Sequence, residues 1–368
     1  MKPTSAHLLS CDPALRPVAA KVLDGVRISA EDALALYHKA SLGFLGSLAN
    51  QVRERLNGDL AYYNRNVHLE PTNICEHRCR FCSYSRKMGE AGAWEYSLGE
   101  LVHMAQEQVT KGITEIHIVG GVHPRRDVHY YAQMLVALRK ACPGIHLKAF
   151  SAVELDAMFR KASLSIAEGL RLLQEAGLDS IPGGGAEIFA DNIRSQICPE
   201  KTNAARWLEI HRTAHQMGIG SNATMLYGHI ELIPDRIDHM QRLRDLQDET
   251  RGFNAFIPLK YRSANNPMSA TGEVSPVEDL RNYALCRIFL DNIPHIKAYW
   301  PMIGKQMAQL ALWFGADDLD GTIEDSTRIY SLAGAEDQSP AATVEELSLM
   351  IRSSGRIPVE RNSLYQPV

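Results

Sequence analysis

Apolar residues in the first sixty positions recur at helical spacing. The segment "SAEDALALYHKA" opens at Ser29, suited to cap a helix, and carries its acids in the first turn ahead of an apolar face. "LGSLANQVRERLNG" continues the pattern and stops at Gly58, a C-terminal breaker. Beyond it the period changes. Short apolar runs ("NVHLEP", "EIHIVGG", "HLKAFSA", "SIPGGG", "SNATMLYG", "AFIPL", "HIKAYW" and "DDLDGTI") alternate with amphipathic segments. One of these, "SPVEDLRNYALCRIFLDNI", sets Val277, Leu280, Ala284 and Ile288 on one helical face.

Strands separated by helices of this length pair in parallel through right-handed crossovers. Eight such units predict an α/β fold, a (β/α)8 TIM-type barrel with an N-terminal helical extension. The expected organisation is a helical extension over 1–60, the barrel over 61–335, and a C-terminal helix and tail over 336–368 packing on the barrel.

Composition narrows the setting. The chain has 368 residues, 45% of them hydrophobic, enough for a large core. It has no apolar run long enough to span a bilayer, and its start lacks a signal peptide's apolar core. A cytoplasmic protein with reduced thiols is expected, with no membrane partner. A formal charge of −4 without a basic block argues against a nucleic-acid partner.

Cysteine usage changes the picture most. Of seven cysteines, Cys75, Cys79 and Cys82 fall in "NICEHRCRFCSYSR", just after the first barrel run. Chance gives this C-x3-C-x2-C spacing only about 0.002 times in such a chain. Structural zinc takes four ligands, and no nearby pair supplies the fourth; His77, inside the loop, reads as a solvated residue. Cys11, Cys142, Cys198 and Cys286 are singletons expected to be small buried hydrophobes. Three thiolates holding an iron–sulfur cube with one open iron fit better. The spacing, with Phe81 before the last cysteine, resembles the signature of the radical S-adenosylmethionine (SAM) superfamily. That resemblance implies a [4Fe–4S] cluster ligated by Cys75, Cys79 and Cys82, with SAM as co-substrate on the open iron.

A barrel concentrates chemistry at the C-terminal ends of its strands. Gly120 and Gly121 in "VGGVHP" would let backbone approach a ligand closely, or would form an ordinary tight turn. Ser151 and Glu154 in "AFSAVEL" are candidates for the SAM ribose or amino group, with Glu154 equally suited to a helix's first turn. Glu187 in "PGGGAEIF" is expected to aim at the mouth, and Arg194 to fork onto the SAM carboxylate. Phe81 and Tyr84 complete the candidate cofactor-binding set. For catalysis the candidates are His229 in "YGHIE", beside Tyr227 and Glu231, then Lys260 and Arg262 as cations for an anionic substrate. Asp320 in "DDLDGT" would orient a ribose or base, or cap the following segment.

From Tyr62 onward the resemblance sharpens. "YYNRNVHLEPTNIC", "EIHIVGGVHP", "ATMLYGHIE", "LRDLQDETRGFNAFIPL" and "FGADDLDGTIEDSTRIYSLAGAE" are similar to the aminodeoxyfutalosine synthase family of the futalosine route to menaquinone. Its sister families, cyclic dehypoxanthine futalosine synthase and the tyrosine-joining subunit of cofactor F420 biosynthesis, share the cluster and "YGH". The "LDGT" stretch leans toward the first family, since the sisters tend to carry a small residue at the position of Asp320. What the resemblance implies is a transferase that adds the 5′-deoxyadenosyl radical to the enol ether of 3-[(1-carboxyvinyl)oxy]benzoate, an aryl dicarboxylate. An electron donor such as flavodoxin or ferredoxin is implied with it. The rival readings are a non-catalytic iron–sulfur electron carrier, which would ligate every iron from the protein, and a radical SAM enzyme acting on RNA.

Overall fold

The computed structural model describes residues 12–323, 329–335 and 340–368, so Cys11 lies outside the described residues. Three helices lead the described chain: Arg16–Leu23, Ala30–Lys39 and Leu42–Asn57. Ser29 accepts from the Asp32 amide while the Asp32 carboxylate takes the Ser29 amide, so two end donors are satisfied reciprocally. The third helix stops at Gly58, whose φ of +56° is strained for any residue with a Cβ.

Strand β1 (Leu60–Asn64) follows, and then the barrel wall. β2 (Asn66–Leu69), β3 (Glu115–Ile118), β4 (His146–Ala149), β5 (Ser180–Ile181), β6 (Gly220–Tyr227), β7 (Phe253–Lys260) and β8 (His295–Ile296) pair in sequence order, all parallel. β9 (Asp318–Gly321) takes the eighth position. It meets the end of β8 through the Lys297–Asp318 bridge, with the Ala298 amide 2.7 Å from the Asp318 carbonyl oxygen. On its other side Thr322 Oγ1 donates to the Asn66 carbonyl at 2.9 Å, and the Ile323 amide donates to Asn66 Oδ1 at 3.0 Å. Gly321 makes this closure possible, because a Cβ there would stand 2.3 Å from Asn66 Oδ1. The eight apolar runs are β2 to β9, and the fold is a TIM-type α/β barrel. Among the described residues no helix is long and apolar enough to cross a membrane.

Two strands lie outside that expectation. β10 (Ile357–Glu360) pairs in parallel with β1, which pairs in parallel with β9, making a second, three-stranded sheet. The tail is therefore a strand as well as a helix (Val344–Ser353). β1 does not belong to the barrel sheet either, since the chain crosses at Arg65 from one sheet to the other. The helix Pro276–Phe289 also departs from a single apolar face. From Asp279 to Phe289 nearly every residue is buried, because the helix lies between the barrel and Leu42–Asn57; Val277, in its first turn, is 53% exposed.

Candidate functional site

The barrel strands alternate inward and outward, and the inward set is polar on most strands. β3 contributes His117, β4 Lys148, β6 Asn222 and Thr224, and the chain just after β8 contributes Lys297 and Tyr299 to the lining of a cavity of about 250 Å3. β7 adds Ile257 and Leu259, and β9 adds Asp320. Each polar residue sits in an otherwise apolar run, where a two-residue period leaves it facing the barrel axis. A second cavity of about 120 Å3 adjoins the first and is lined by Cys75, Cys79, Phe81 and Gly121. The two share the wall formed by Cys82, Tyr84, Gly120, Ser151, Glu154 and Lys201. The two cavities thus lie side by side between the cysteine loop and the barrel floor.

The cysteine loop is held by backbone. The Cys75 amide donates to the Arg86 carbonyl at 2.9 Å, the Glu76 amide to Val122 at 2.8 Å and the Arg80 amide to Ile197 at 2.8 Å. Tyr84 is buried and its hydroxyl donates to the Thr72 carbonyl at 3.1 Å. Gly121 donates to the same carbonyl at 2.8 Å. A Cβ on Gly121 would lie 2.3 Å from the Ile74 carbonyl oxygen, and one on Gly120 2.9 Å from that of Thr72. The close approach these glycines permit is therefore made first by the chain's own strand leading to Cys75. His77 is buried, not solvated, and borders the thiol-lined cavity.

All three loop cysteines are free thiols. Burial pushes the Cys75 and Cys79 thiols up, so a bound cation is needed to draw off their protons. Among the described residues no three His, Cys, Asp or Glu side chains converge on one ion. An iron–sulfur cube requires no such convergence, since each thiolate binds a different iron. Three thiols lining one cavity, with room beside them, fit a cluster with one iron left open. Cys142, Cys198 and Cys286 are buried and line neither cavity.

Beside the thiols, Ser151 and Glu154 form a capping box at the start of helix Ala152–Lys161. Glu154 Oε2 accepts from the Ser151 amide at 2.7 Å and Oγ at 2.6 Å, and Oε1 from the Gly120 amide at 3.1 Å. Burial nonetheless raises its pKa to about 7, against those bonds. Opposite stands Lys201, which the sequence reading did not single out. Its ammonium pairs with Glu187 and lies 5.4 Å from the Phe81 ring centroid. Burial works against that charge, but the ion pair with Glu187 favours it, and its pKa stands above the ordinary value.

Four expected site residues face elsewhere. Arg194 is buried, and its guanidinium donates to the carbonyls of Ala186 (2.6 Å), Ile188 (3.1 Å) and Thr202, so no fork is left for a SAM carboxylate. It clasps the two segments that carry Glu187 and Lys201. Lys260 is outward by strand parity, since Ile257 and Leu259 face in. Its ammonium donates to Asp279 at 2.7 Å and to the Val274 carbonyl at 3.0 Å. Arg262 donates to the Gly334 carbonyl at 2.6 Å and lies 3.5 Å from Glu273. His229 is sealed behind the wall, with Nε2 3.1 Å from the Leu226 carbonyl oxygen and Nδ1 3.1 Å from Glu231, which Arg236 also holds at 2.7 Å. Tyr227 likewise points outward, its hydroxyl donating to Asp279 at 2.8 Å.

The floor carries two further buried cations. Lys148 Nζ lies 2.6 Å from Glu115 and Lys297 Nζ 2.5 Å from Asp320, all four side chains being buried. Burial opposes the charge on Asp320, but Lys297 and His68 outweigh it and hold its pKa below the usual range. Burial lowers His68 to about 4 and His117 well below the usual value, so both rings, with centroids 4.4 Å apart, are neutral at pH 7.

Comparison with known proteins agrees with this arrangement. Residues 69–243 match the family model of the radical SAM superfamily, and residues 250–368 match the CofH/MqnC C-terminal region. The chain is 46% identical to the aminodeoxyfutalosine synthase of Thermus thermophilus, over 97% of this chain and 96% of the relative. The Streptomyces coelicolor aminodeoxyfutalosine synthase is 41% identical over 95% and 93%. The cyclic dehypoxanthine futalosine synthase of the same organism is 37% identical over 96% and 88%. Among solved structures, an FeFe-hydrogenase maturase from Carboxydothermus hydrogenoformans superimposes with a TM-score of 0.75 at 16% identity, over 96% of this chain and 81% of that one, a likeness of fold alone.

Proposed function

The chain belongs to the radical SAM superfamily, and on that premise we propose that it is a carbon–carbon bond-forming transferase that makes 6-amino-6-deoxyfutalosine. It joins the 5′-deoxyadenosyl group of SAM to the vinyl carbon of 3-[(1-carboxyvinyl)oxy]benzoate, with migration onto the aryl ring and loss of one carboxyl group as carbon dioxide or bicarbonate. SAM is consumed as a substrate and methionine is released. The observation that carries this reading is the 46% identity to an aminodeoxyfutalosine synthase along nearly the whole of both chains, against 37% for the sister enzyme.

Cys75, Cys79 and Cys82 would hold the cluster, which when bound would lend the electron that opens the sulfonium of SAM and take it back as the carboxyl group leaves, so that the reaction is redox-neutral overall. The protein's own part is positioning and exclusion of water. Gly120, Ser151 and Glu154 border the thiols and offer a carboxylate to an ammonium. Lys201 offers a cation to a carboxylate on the opposite wall. Apolar Ile257 and Leu259 with the aromatic Tyr299 and Tyr330 line the space between thiols and floor, which suits an aryl group kept from solvent. A flavodoxin or ferredoxin in the cytoplasm is the electron donor this chemistry calls for.

Product analysis tests the reading. With carbon-labelled SAM, reductant and the enol ether, the adenosyl label is expected in an aromatic product, with methionine formed in equal amount. Free 5′-deoxyadenosine as the sole labelled product, with the enol ether consumed, would falsify the addition. Turnover of dehypoxanthine futalosine or tyrosine instead would install a sister activity.

A further inference from the structure

We propose that Lys148 and Lys297, each held by its own carboxylate, Glu115 and Asp320, form a receiving floor for the two carboxylate groups of a small dianionic substrate. The proposal rests on the reading above and assigns it residues that neither the cysteine motif nor the expected mouth cations provide. The four side chains come from β3, β4 and β9 and from the segment just after β8, and are 1–3% exposed. Among the described residues each ammonium has one hydrogen-bond acceptor, at 2.6 Å for Lys148 and 2.5 Å for Lys297. An ammonium carries three N–H groups, so on each lysine two donors meet no acceptor among the described residues and can serve a ligand in the cavity that both line. Buried donors are costly unless something in the cavity accepts from them.

Asp320 adds an independent sign. Its φ of +71° is one that glycine adopts freely and an L residue adopts under strain. The fold keeps the carboxylate at that position regardless, where it fixes the Lys297 ammonium. Neither lysine belongs to the wall shared with the thiol-lined cavity. A ligand gripped here by both carboxylates would therefore have the rest of its body directed along the apolar walls toward the thiols. The floor itself is charge-balanced, so its contribution is oriented N–H donors rather than net attraction.

A cycle of enzyme and substrate truncations tests the floor. The substrates are the enol-ether dicarboxylate and the two monocarboxylates that lack one group or the other. The enzymes are the wild type, Lys148→Met with Glu115→Gln, and Lys297→Met with Asp320→Asn; the paired changes leave no buried charge orphaned. Removing either carboxylate should cost the wild type about tenfold to a hundredfold in kcat/KM. Each paired variant should lose a similar factor on the dicarboxylate and become indifferent to one truncation, a different one for each variant. Iron content and the change that SAM makes in the EPR signal of the reduced cluster should persist in both. Equal losses on all three substrates, or loss of the SAM-induced change, would overturn the floor. If a variant fails to fold, the wild type still decides, since indifference to both truncations overturns the proposal alone. Wild-type failure on the enol ether altogether overturns the underlying reading, and this floor with it.

Discussion

Two lysine–carboxylate pairs sit on opposite sides of one barrel wall. Lys260 and Asp279 meet at 2.7 Å behind β7, where Tyr227 donates to the same carboxylate and helix Pro276–Phe289 covers them. Lys297 and Asp320 meet at 2.5 Å inside the barrel, facing a cavity. Both lysines are buried and both occur at or just beyond strand ends. The first pair closes on itself and pins a helix to a strand. The second has donors left over. Side-chain chemistry is the same in each, so parity along the strand decides whether an ion pair belongs to the scaffold or to the site.

The largest expected effect tests inward against outward for cysteine. Cys75→Ala, Cys79→Ala and Cys82→Ala should each abolish iron incorporation and activity, whereas Cys142→Ala and Cys286→Ala keep both. Loss of the iron–sulfur absorption band in either of the latter would remove the distinction. For the lysines, Lys260→Met strands Asp279 in the interior and should lower stability by roughly 3–5 kcal/mol in denaturant titrations, while the folded fraction keeps its kcat/KM. Removing Lys297 together with the Asp320 charge should do the reverse. If Lys260→Met instead raises KM for the enol ether with stability intact, the parity argument is wrong.

A carboxylate that no ammonium pairs directly sharpens the contrast. Glu154 is held up to about 7 by burial, whereas Lys297 keeps Asp320 below its ordinary range. A folded-state pKa raised from 4.5 means the native state holds a proton that the unfolded state has lost. Stability from this group is thus fully present below about 4.5 and declines as pH rises toward 7. Glu154→Gln should flatten that decline, gaining at most about 3 kcal/mol on the wild type by pH 7.5 in SAM-free protein. Superimposable pH–stability curves would show that Glu154 is solvated. The smallest effect concerns the helix outside the wall. Val277→Ser should change stability by less than about 0.5 kcal/mol, whereas Leu280→Ala, 8% exposed, should cost about 2–4 kcal/mol.

The barrel was legible because its evidence is local and periodic: eight apolar runs, Ser29 before its helix, Gly58 after the next. The cysteine loop was legible because its spacing is too rare to be accidental. The floor was harder to see. Lys148 and Lys297 look like interruptions of apolar strands, and only alternation with inward neighbours such as Tyr299 tells that they face the axis. The same count applied to β7, in from Ile257 and Leu259, would have turned Lys260 outward. Arg194 was misread for a different reason: its acceptors are carbonyls brought round by the loops 186–188 and 202, which no local pattern announces. Lys201 lies in a loop with no period at all. β1 and β10 escaped because short strands paired far along the chain leave no periodic trace.

That last pairing has a bearing on how the molecule is made. Arg65 and Glu360, joined at the seam of the three-stranded sheet, are 295 residues apart in sequence, and Arg361 reaches buried Asp318 on β9. During synthesis β1 must wait for nearly the whole chain to leave the ribosome before its neighbours on either side exist. Until then the polypeptide carries one unpaired strand beside a barrel that has not yet closed, with apolar edges open to misassociation. Iron loading is expected to follow that closure, since only a closed wall shields the thiol-lined cavity from oxidants.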